Sequence, residues 1–111
     1  MIRGEIRLVN LDPVTGAEAN RRRPSNDGAN TTAARLGRGV VTVVPVTSNV
    51  SRVYPFQVKL SAEATGLRAD SKAQAEQVRS VPVQRIGPRI GRVPADVMEQ
   101  IDEALRLHLA L

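Results

Sequence analysis

The sequence has no cysteine and no tryptophan, and it contains only one histidine, one tyrosine and one phenylalanine. Without cysteine the chain can form neither a disulfide framework nor a thiolate metal site, and one histidine is too few for the usual zinc sites. No apolar run reaches the length of a membrane-spanning helix, and the first residues do not form a secretory or transit signal. We therefore expect a cytoplasmic protein that uses no metal ion and no other cofactor.

Basic residues are in excess, since 16 lysines and arginines stand against 11 aspartates and glutamates, for a net charge of +5. The 111 residues predict a single domain over residues 1–111, and 41% hydrophobic residues are enough for a core. The positive charge favours a polyanionic partner such as nucleic acid. A basic surface that only keeps the protein soluble would give the same composition.

The strongest strand signal lies in residues 39–49, where five valines and two threonines occur among eleven residues. Such a β-branched run predicts a strand that is buried on both faces. Pro45 lies within it and has no N–H for a ladder, so we predict an edge position or a bulge there. The run ends in Thr47, Ser48 and Asn49. These polar side chains could form a functional site held by a rigid strand, or an ordinary turn.

Other segments give weaker signals. Residues 1–11 and residues 53–60 alternate in the manner of strands, the second with Gln57 among its solvent-facing residues. A C-terminal helix follows Pro94, which is placed in the first turn. His108 lies on the apolar stripe of this helix, where it is expected to be a packing or boundary residue.

Three consecutive arginines, Arg21, Arg22 and Arg23, stand before Pro24 at the end of a polar loop. The planar guanidinium fork suits bidentate binding of phosphate. A solvated basic turn is the alternative interpretation of such a cluster.

Short motifs follow one another along the chain in a recognisable order. They are Gly4-Glu5-Ile6, Asp12-Pro13, Gly16 with Glu18, Arg23-Pro24, Val46-Thr47-Ser48-Asn49, Asp70-Ser71, Glu76-Gln77-Val78-Arg79, Ile90-Gly91-Arg92-Val93 and Asp102-Glu103-Ala104-Leu105. Together they resemble the MazF/PemK toxin family of type II toxin–antitoxin systems over essentially the whole chain. The likeness is greatest to the mycobacterial-type members.

This resemblance implies an α+β, mainly β fold: an SH3-like antiparallel β-barrel with short helices and a C-terminal helix. It also implies a homodimer, a cognate MazE-like antitoxin, and a metal-independent endoribonuclease that cuts single-stranded RNA. Residues 70–79 would then contain strand, although their composition favours a helix.

In the family, an arginine before proline and a threonine at the strand end form the catalytic pair, and these positions are Arg23 and Thr47 here. The resemblance places Ser71 and Gln77 near the site or the dimer interface, and the charge of Arg21 and Arg22 favours phosphate contacts. We expect a set of RNA-binding residues that includes these four. The set is Glu18, Asn20, Arg21, Arg22, Ser48, Asn49, Arg52, Ser71 and Gln77. Sequence selectivity is expected in the two loops beside the cleft, residues 14–22 and 49–53.

The implied reaction uses the ribose 2′-hydroxyl as the nucleophile on its own phosphate, which gives a 2′,3′-cyclic phosphate and a 5′-hydroxyl end. Such catalysis needs stabilisation of negative charge and a proton donor for the leaving oxygen. Arg23 suits the first task. A guanidinium group titrates above ~12, so it is a weak general base. Thr47 can donate a hydrogen bond to a phosphate oxygen or to the leaving group.

One departure from the family pattern affects this expectation. The family has about five apolar residues after Arg-Pro, whereas here Pro24 runs straight into Ser25-Asn26-Asp27. If the deletion is real, we expect the loss of a central ladder, a turn directly after Pro24, displacement of Arg23 and impaired activity. Two other functions also stay open: a non-catalytic nucleic-acid-binding barrel, which would explain the charge, and a protein-directed toxin like the gyrase poisons, which share this type of barrel.

Overall fold

The computed structural model describes residues 3–11 and 39–111, together with the backbone of residues 23–27. Within this part of the chain, seven strands form an antiparallel sheet. The strands are β1 (Glu5–Val9), β2 (Arg23–Asp27), β3 (Val40–Thr47), β4 (Gln57–Leu60), β5 (Ser71–Gln74), β6 (Arg79–Pro82) and β7 (Ile86–Arg92). The helices are α1 (Ala62–Thr65) and α2 (Ala95–Leu109). The predicted mainly β fold with short helices and a C-terminal helix is therefore confirmed.

Strand β3 is the centre of the sheet. The strands lie in the order β4-β5-β3-β2-β1-β7, and β6 also pairs with β3. Along one edge, β3 pairs first with β6, over Val40 to Val43, and then with β5, over Val46 and Thr47. Its other edge pairs with β2. The strand predicted within residues 39–49 is thus confirmed, and its second half is buried on both faces.

The predicted edge position of Pro45 is wrong. Pro45 is buried in the central strand and lies opposite Ser25 of β2. On the other edge of β3, pairing with β6 ends at Val43 and pairing with β5 begins at Val46. Position 45 therefore lies where the neighbouring strand changes, and no ladder bond is required of it on that edge.

The turn predicted directly after Pro24 is also wrong. Residues 23–27 form β2, which pairs with both β1 and β3, so the central ladder is kept. Pro24 lies opposite Leu8 of β1. The turn propensity of Ser-Asn-Asp is a local preference, and pairing with a strand on either side outweighs it. Residues 14–22, the first expected selectivity loop, lie outside the described residues.

The flanking strands are shorter than predicted. The segment 1–11 contains β1, and the segment 53–60 contains β4 after a turn at residues 55–56. Residues 70–79 hold β5, a 3-10 turn (Ala75–Gln77) and the first residue of β6, which confirms strand rather than α-helix there.

The main core lies between the sheet and helix α2. Its buried members are Ile6, Val44, Val46, Val58, Leu60, Ala73, Ala75, Val93, Met98, Ile101 and Ala104. A second cluster joins Val9, Leu11, Val43 and Val81. None of the helices in the described part of the chain is long and apolar enough to cross a membrane.

Helix α2 begins one residue later than predicted, because Pro94 is its N-cap and not part of its first turn. The buried face is centred on Ile101, with Met98 and Ala104 at its sides. His108 is exposed, so its prediction as a packing or boundary residue is wrong. The last turn of the helix extends past the core, and leucines there are exposed as well.

Candidate functional site

Thr47 lies at the end of β3, where the chain leaves the sheet, and it is half-buried. Its Oγ1 accepts a hydrogen bond from the backbone N–H of Asn49 at 3.2 Å. The Asn49 Oδ1 accepts in turn from the backbone N–H of Ser51 at 3.3 Å and from the Ser51 hydroxyl at 2.9 Å. These local bonds fix the backbone after β3. Ser48 and Asn49 are exposed beside Thr47.

The register of the sheet aligns the two predicted catalytic positions. In the β2–β3 pair, Ser25 lies opposite Pro45 and Asn26 opposite Val44. Continuing this antiparallel register by two residues brings the Arg23 backbone opposite Thr47. Four of the other predicted RNA-binding residues lie outside the described residues, namely Glu18, Asn20, Arg21 and Arg22.

The loop after Thr47 carries both aromatic residues of the chain. The Tyr54 and Phe56 rings are stacked, with centroids 5.4 Å apart and planes 6° from parallel. Arg52 donates from Nη1 to the Tyr54 hydroxyl at 3.1 Å, and its Cζ lies 5.6 Å from the Tyr54 ring centroid. Tyr54 stays 41% exposed. An exposed aromatic ring beside a guanidinium group is a surface on which nucleobases stack.

Lys72 is a further member of this region that the sequence did not reveal. It lies on β5 directly opposite Thr47 and is only 7% exposed. Its Nζ donates to the backbone carbonyl of Arg52 at 2.5 Å and lies 6.0 Å from the Tyr54 ring centroid. In the sequence, Lys72 is simply a lysine within a short strand. Its relation to Thr47 follows only from the register of the β3–β5 pair.

Gln57 is hydrogen-bonded to the loop that carries Tyr54. Its predicted solvent-facing position is wrong. It is 7% exposed, and its Oε1 accepts from the Tyr54 backbone N–H at 3.1 Å. Its Nε2 donates to Glu76 Oε2 at 2.6 Å. Because both ends of the amide are satisfied, glutamine is tolerated at a buried position of the strand.

Ser71 and Gln77, two other predicted RNA-binding residues, do not share the Thr47 face of the β3–β5 pair. Ser71 is buried at the start of β5, and its hydroxyl donates to the Ala69 carbonyl at 3.0 Å. Neighbouring residues of a strand point to opposite faces, so Lys72, and not Ser71, shares the face of Thr47. Gln77 is exposed at the end of the 3-10 turn.

A groove of about 740 Å³ lies elsewhere, between α2 and the β4 region. Its lining includes the acidic residues Asp96, Glu99 and Glu103. Their negative charge disfavours a polyanion there. In the part of the chain that the structure describes, no group of three or more histidine, cysteine, aspartate or glutamate residues could hold a metal ion.

Comparison with known proteins gives consistent matches. Residues 2–109 match the model of a family described as the PemK-like, MazF-like toxin of type II toxin–antitoxin systems. The chain is 63% identical over 115 aligned residues to endoribonuclease MazF9 of Mycobacterium tuberculosis, with 100% of this chain and 98% of the relative covered. It is 30% identical to endoribonuclease EndoA of Bacillus subtilis, with 98% and 94% covered.

Among solved structures, a MazE–MazF complex from Deinococcus radiodurans (Form-II) superimposes with a TM-score of 0.81. Its sequence identity is 26%, and the match covers 100% of this chain and 96% of that chain. The MazF9 alignment is four positions longer than the 111 residues of this chain. The M. tuberculosis relative therefore has at least four residues without a counterpart here.

Proposed function

The chain belongs to the PemK-like, MazF-like toxin family of type II toxin–antitoxin systems, and from this premise we propose that it is a metal-independent endoribonuclease that cleaves single-stranded RNA. The relatives MazF9 and EndoA carry the name endoribonuclease. The observation that supports the proposal most directly is the β2–β3 register, which when continued aligns Arg23 with Thr47. Residues opposite each other in an antiparallel pair belong to the same face of the sheet.

In the proposed reaction, the ribose 2′-hydroxyl loses its proton and its oxygen attacks the adjacent phosphorus. The bond from phosphorus to the 5′-oxygen breaks and that oxygen takes up a proton, so no proton is gained or lost overall. The products are a 2′,3′-cyclic phosphate and a 5′-hydroxyl end. We assign Arg23 to the negative charge that develops on the phosphate. Thr47 Oγ1 accepts from Asn49, and the hydroxyl hydrogen has no acceptor among the described residues. That hydrogen is therefore available for a phosphate oxygen or the leaving oxygen.

The remaining RNA-binding assignments follow from charge and exposure. Arg21 and Arg22 are proposed to contact backbone phosphates. Ser48, Asn49 and Arg52 are exposed around Thr47. We propose that they contact nucleotides beside the cut. Glu18, Asn20, Ser71 and Gln77 stay as further proposed contacts.

We also propose that the protein is a cytoplasmic homodimer that a cognate MazE-like antitoxin inhibits. Structures of MazE–MazF complexes are among the similar proteins. Leu107, Leu109 and Val53 are large apolar residues on the surface of the described chain, 59%, 51% and 42% exposed. Apolar surface of this kind favours association. Light scattering that gave the mass of one chain at micromolar concentration would overturn the dimer.

The central test is cleavage of a long single-stranded RNA in the presence of EDTA. We expect cuts that carry a cyclic phosphate and a 5′-hydroxyl group. Thr47→Val removes the hydroxyl and keeps the shape, and it should lower the cleavage rate about 100-fold, as loss of one transition-state donor does. Thr42→Val is the matched control, because Thr42 is an exposed threonine on the same strand.

The outcomes separate the alternatives. RNA binding without cleavage by the wild-type protein would favour a non-catalytic binding barrel. Growth arrest with intact cellular RNA would favour a protein-directed toxin. Equal cleavage by Thr47→Val and Thr42→Val would show that the Thr47 hydroxyl takes no part in the reaction.

A further inference from the structure

Lys72 is the one buried lysine or arginine among the residues whose side chains the structure describes. Its Nζ makes two contacts: it donates a hydrogen bond to the Arg52 carbonyl at 2.5 Å, and it lies 6.0 Å from the centroid of the Tyr54 ring, a cation–π contact. No carboxylate of the described residues forms an ion pair with it. An ammonium group has three N–H donors, so one is used by the Arg52 carbonyl and two remain.

The buried carboxylate of the same sheet is treated differently. Glu5 is 5% exposed and has two arginine partners, Arg7 at 3.3 Å and Arg89 at 3.6 Å. Buried charges in proteins are normally paired in this way, because removal from water is costly. Among the described residues, the buried cation at Lys72 therefore has no counter-charge like the two that the buried anion at Glu5 possesses.

The position of Lys72 indicates where a counter-charge would come from. It lies directly opposite Thr47 in the β3–β5 pair, and side chains so placed start about 5 Å apart. Both groups that contact its Nζ, the Arg52 carbonyl and the Tyr54 ring, belong to the loop of residues 51–55, all of which are exposed. An RNA strand cut at Thr47 would bring its phosphate groups to this face of the sheet.

Resting on the proposed ribonuclease function, we propose that Lys72 binds a phosphate group of the RNA next to the one cleaved at Thr47. The Arg52 carbonyl holds the ammonium group in the free protein, and the two remaining N–H donors are turned to the RNA phosphate. Lys72 thereby supplies a second fixed positive charge, on the opposite side of Thr47 from Arg23 in the strand order. The hydrogen bond from Lys72 Nζ to the Arg52 carbonyl also fixes the loop that carries Tyr54.

Two neutral variants separate the charge from the loop contact. Lys72→Met keeps the apolar stem and removes both charge and donors. Lys72→Gln removes the charge but keeps an N–H donor for the Arg52 carbonyl. On a short RNA spanning the site that the wild-type protein cuts, we expect both variants to lose kcat/KM about tenfold or more, and Lys72→Arg to retain more activity than either.

Lys59→Met is the matched control. Lys59 lies opposite Lys72 on β4, and it is exposed. The substitution makes the same change in net charge one strand further from Thr47. We expect its kcat/KM to stay within about twofold of wild type, and thermal melts will show that each variant is folded.

A phosphate scan identifies the group that Lys72 binds. One linkage at a time is replaced by an uncharged methylphosphonate. We expect one linkage beside the scissile phosphate at which this change lowers wild-type cleavage about tenfold yet leaves Lys72→Gln unchanged, because the two changes remove the same interaction. A purely structural lysine would give equal losses in both proteins at every linkage.

Failures of the two proposals are distinguishable. A wild-type protein that makes no cut contradicts the ribonuclease function itself. A wild-type protein that cuts, with Lys72→Gln as active as Lys59→Met, overturns the role of Lys72 alone. A scan in which no linkage beside the scissile one affects the wild type would overturn it without any variant.

Discussion

At the scale of single residues, the chemistry assigned to Arg23 depends on the shape of its guanidinium group. A lysine keeps the charge but replaces the planar fork by a single point charge. We therefore expect Arg23→Lys to lose about 100-fold or more in cleavage rate, close to the loss in Arg23→Ala. Arg79→Lys is the control, since Arg79 is exposed on β6. Full turnover by Arg23→Lys would show that a point charge suffices.

Side-chain roles were the hardest property to predict from the sequence. Alternation assigned Gln57 to solvent, but its amide is buried between Tyr54 and Glu76. Lys72 was not identified as part of the site at all. In both cases the deciding partner is distant in sequence, at Glu76 or across the sheet at Thr47. Local pattern carries no information on such contacts, whereas the family resemblance supplied Thr47 and Arg23 directly.

At the scale of elements, close packing of α1 against β7 gives a sharp stability prediction. A Cβ on Gly91 would lie 2.6 Å from the backbone carbonyl oxygen of Thr65, the last residue of α1. That oxygen belongs to backbone and cannot turn away as a side chain can. We expect Gly91→Ala to lower the free energy of unfolding by about 1–3 kcal/mol, measured by urea denaturation.

Gly66→Ala serves as the comparison for this prediction. No atom of the described residues lies within 4 Å of a Cβ on Gly66, but its φ of +83° ends α1 in the left-handed region. Its cost is conformational, about 1–2 kcal/mol, and Gly66→Asn should recover part of it. If Gly91→Ala were as stable as wild type, helix α1 would have to move away from β7 at no cost.

Strand and helix positions were predicted well because they rest on local pattern. The β-branched run gave β3, and the apolar spacing and Pro94 gave α2. The errors arose at positions whose structure depends on pairing with strands that are distant in sequence. Residues 25–27 have turn residues yet form β2 between two strands, and Pro45 is accepted inside the sheet because its neighbour changes there. The M. tuberculosis relative has at least four residues without a counterpart in this chain, and β2 nevertheless pairs on both edges.

At the scale of the whole molecule, charge is distributed unevenly, and this bears on how a protein inhibitor would bind. The net charge is +5, while the groove beside α2 is lined by carboxylates. The region around Thr47 instead contains the exposed Arg52 and the buried Lys72. A protein inhibitor that competes with RNA should therefore imitate an extended polyanion at Thr47 rather than occupy the groove beside α2.

We predict that the inhibitory part of the antitoxin is an acidic, disordered segment that binds over the Thr47 site and excludes RNA. Such a segment folds on binding and can cover a long cleft. Because its attraction is electrostatic, its affinity should fall as salt rises.

The measurement is a titration of the synthetic acidic segment against labelled, uncleavable RNA at about 50 and about 200 mM salt, conditions that separate salt-dependent binding clearly. A segment of the same length with glutamine and asparagine in place of its acids is the control and should compete poorly. Simultaneous binding of RNA and segment, or an affinity that does not change with salt, would show that control is exerted away from this basic site.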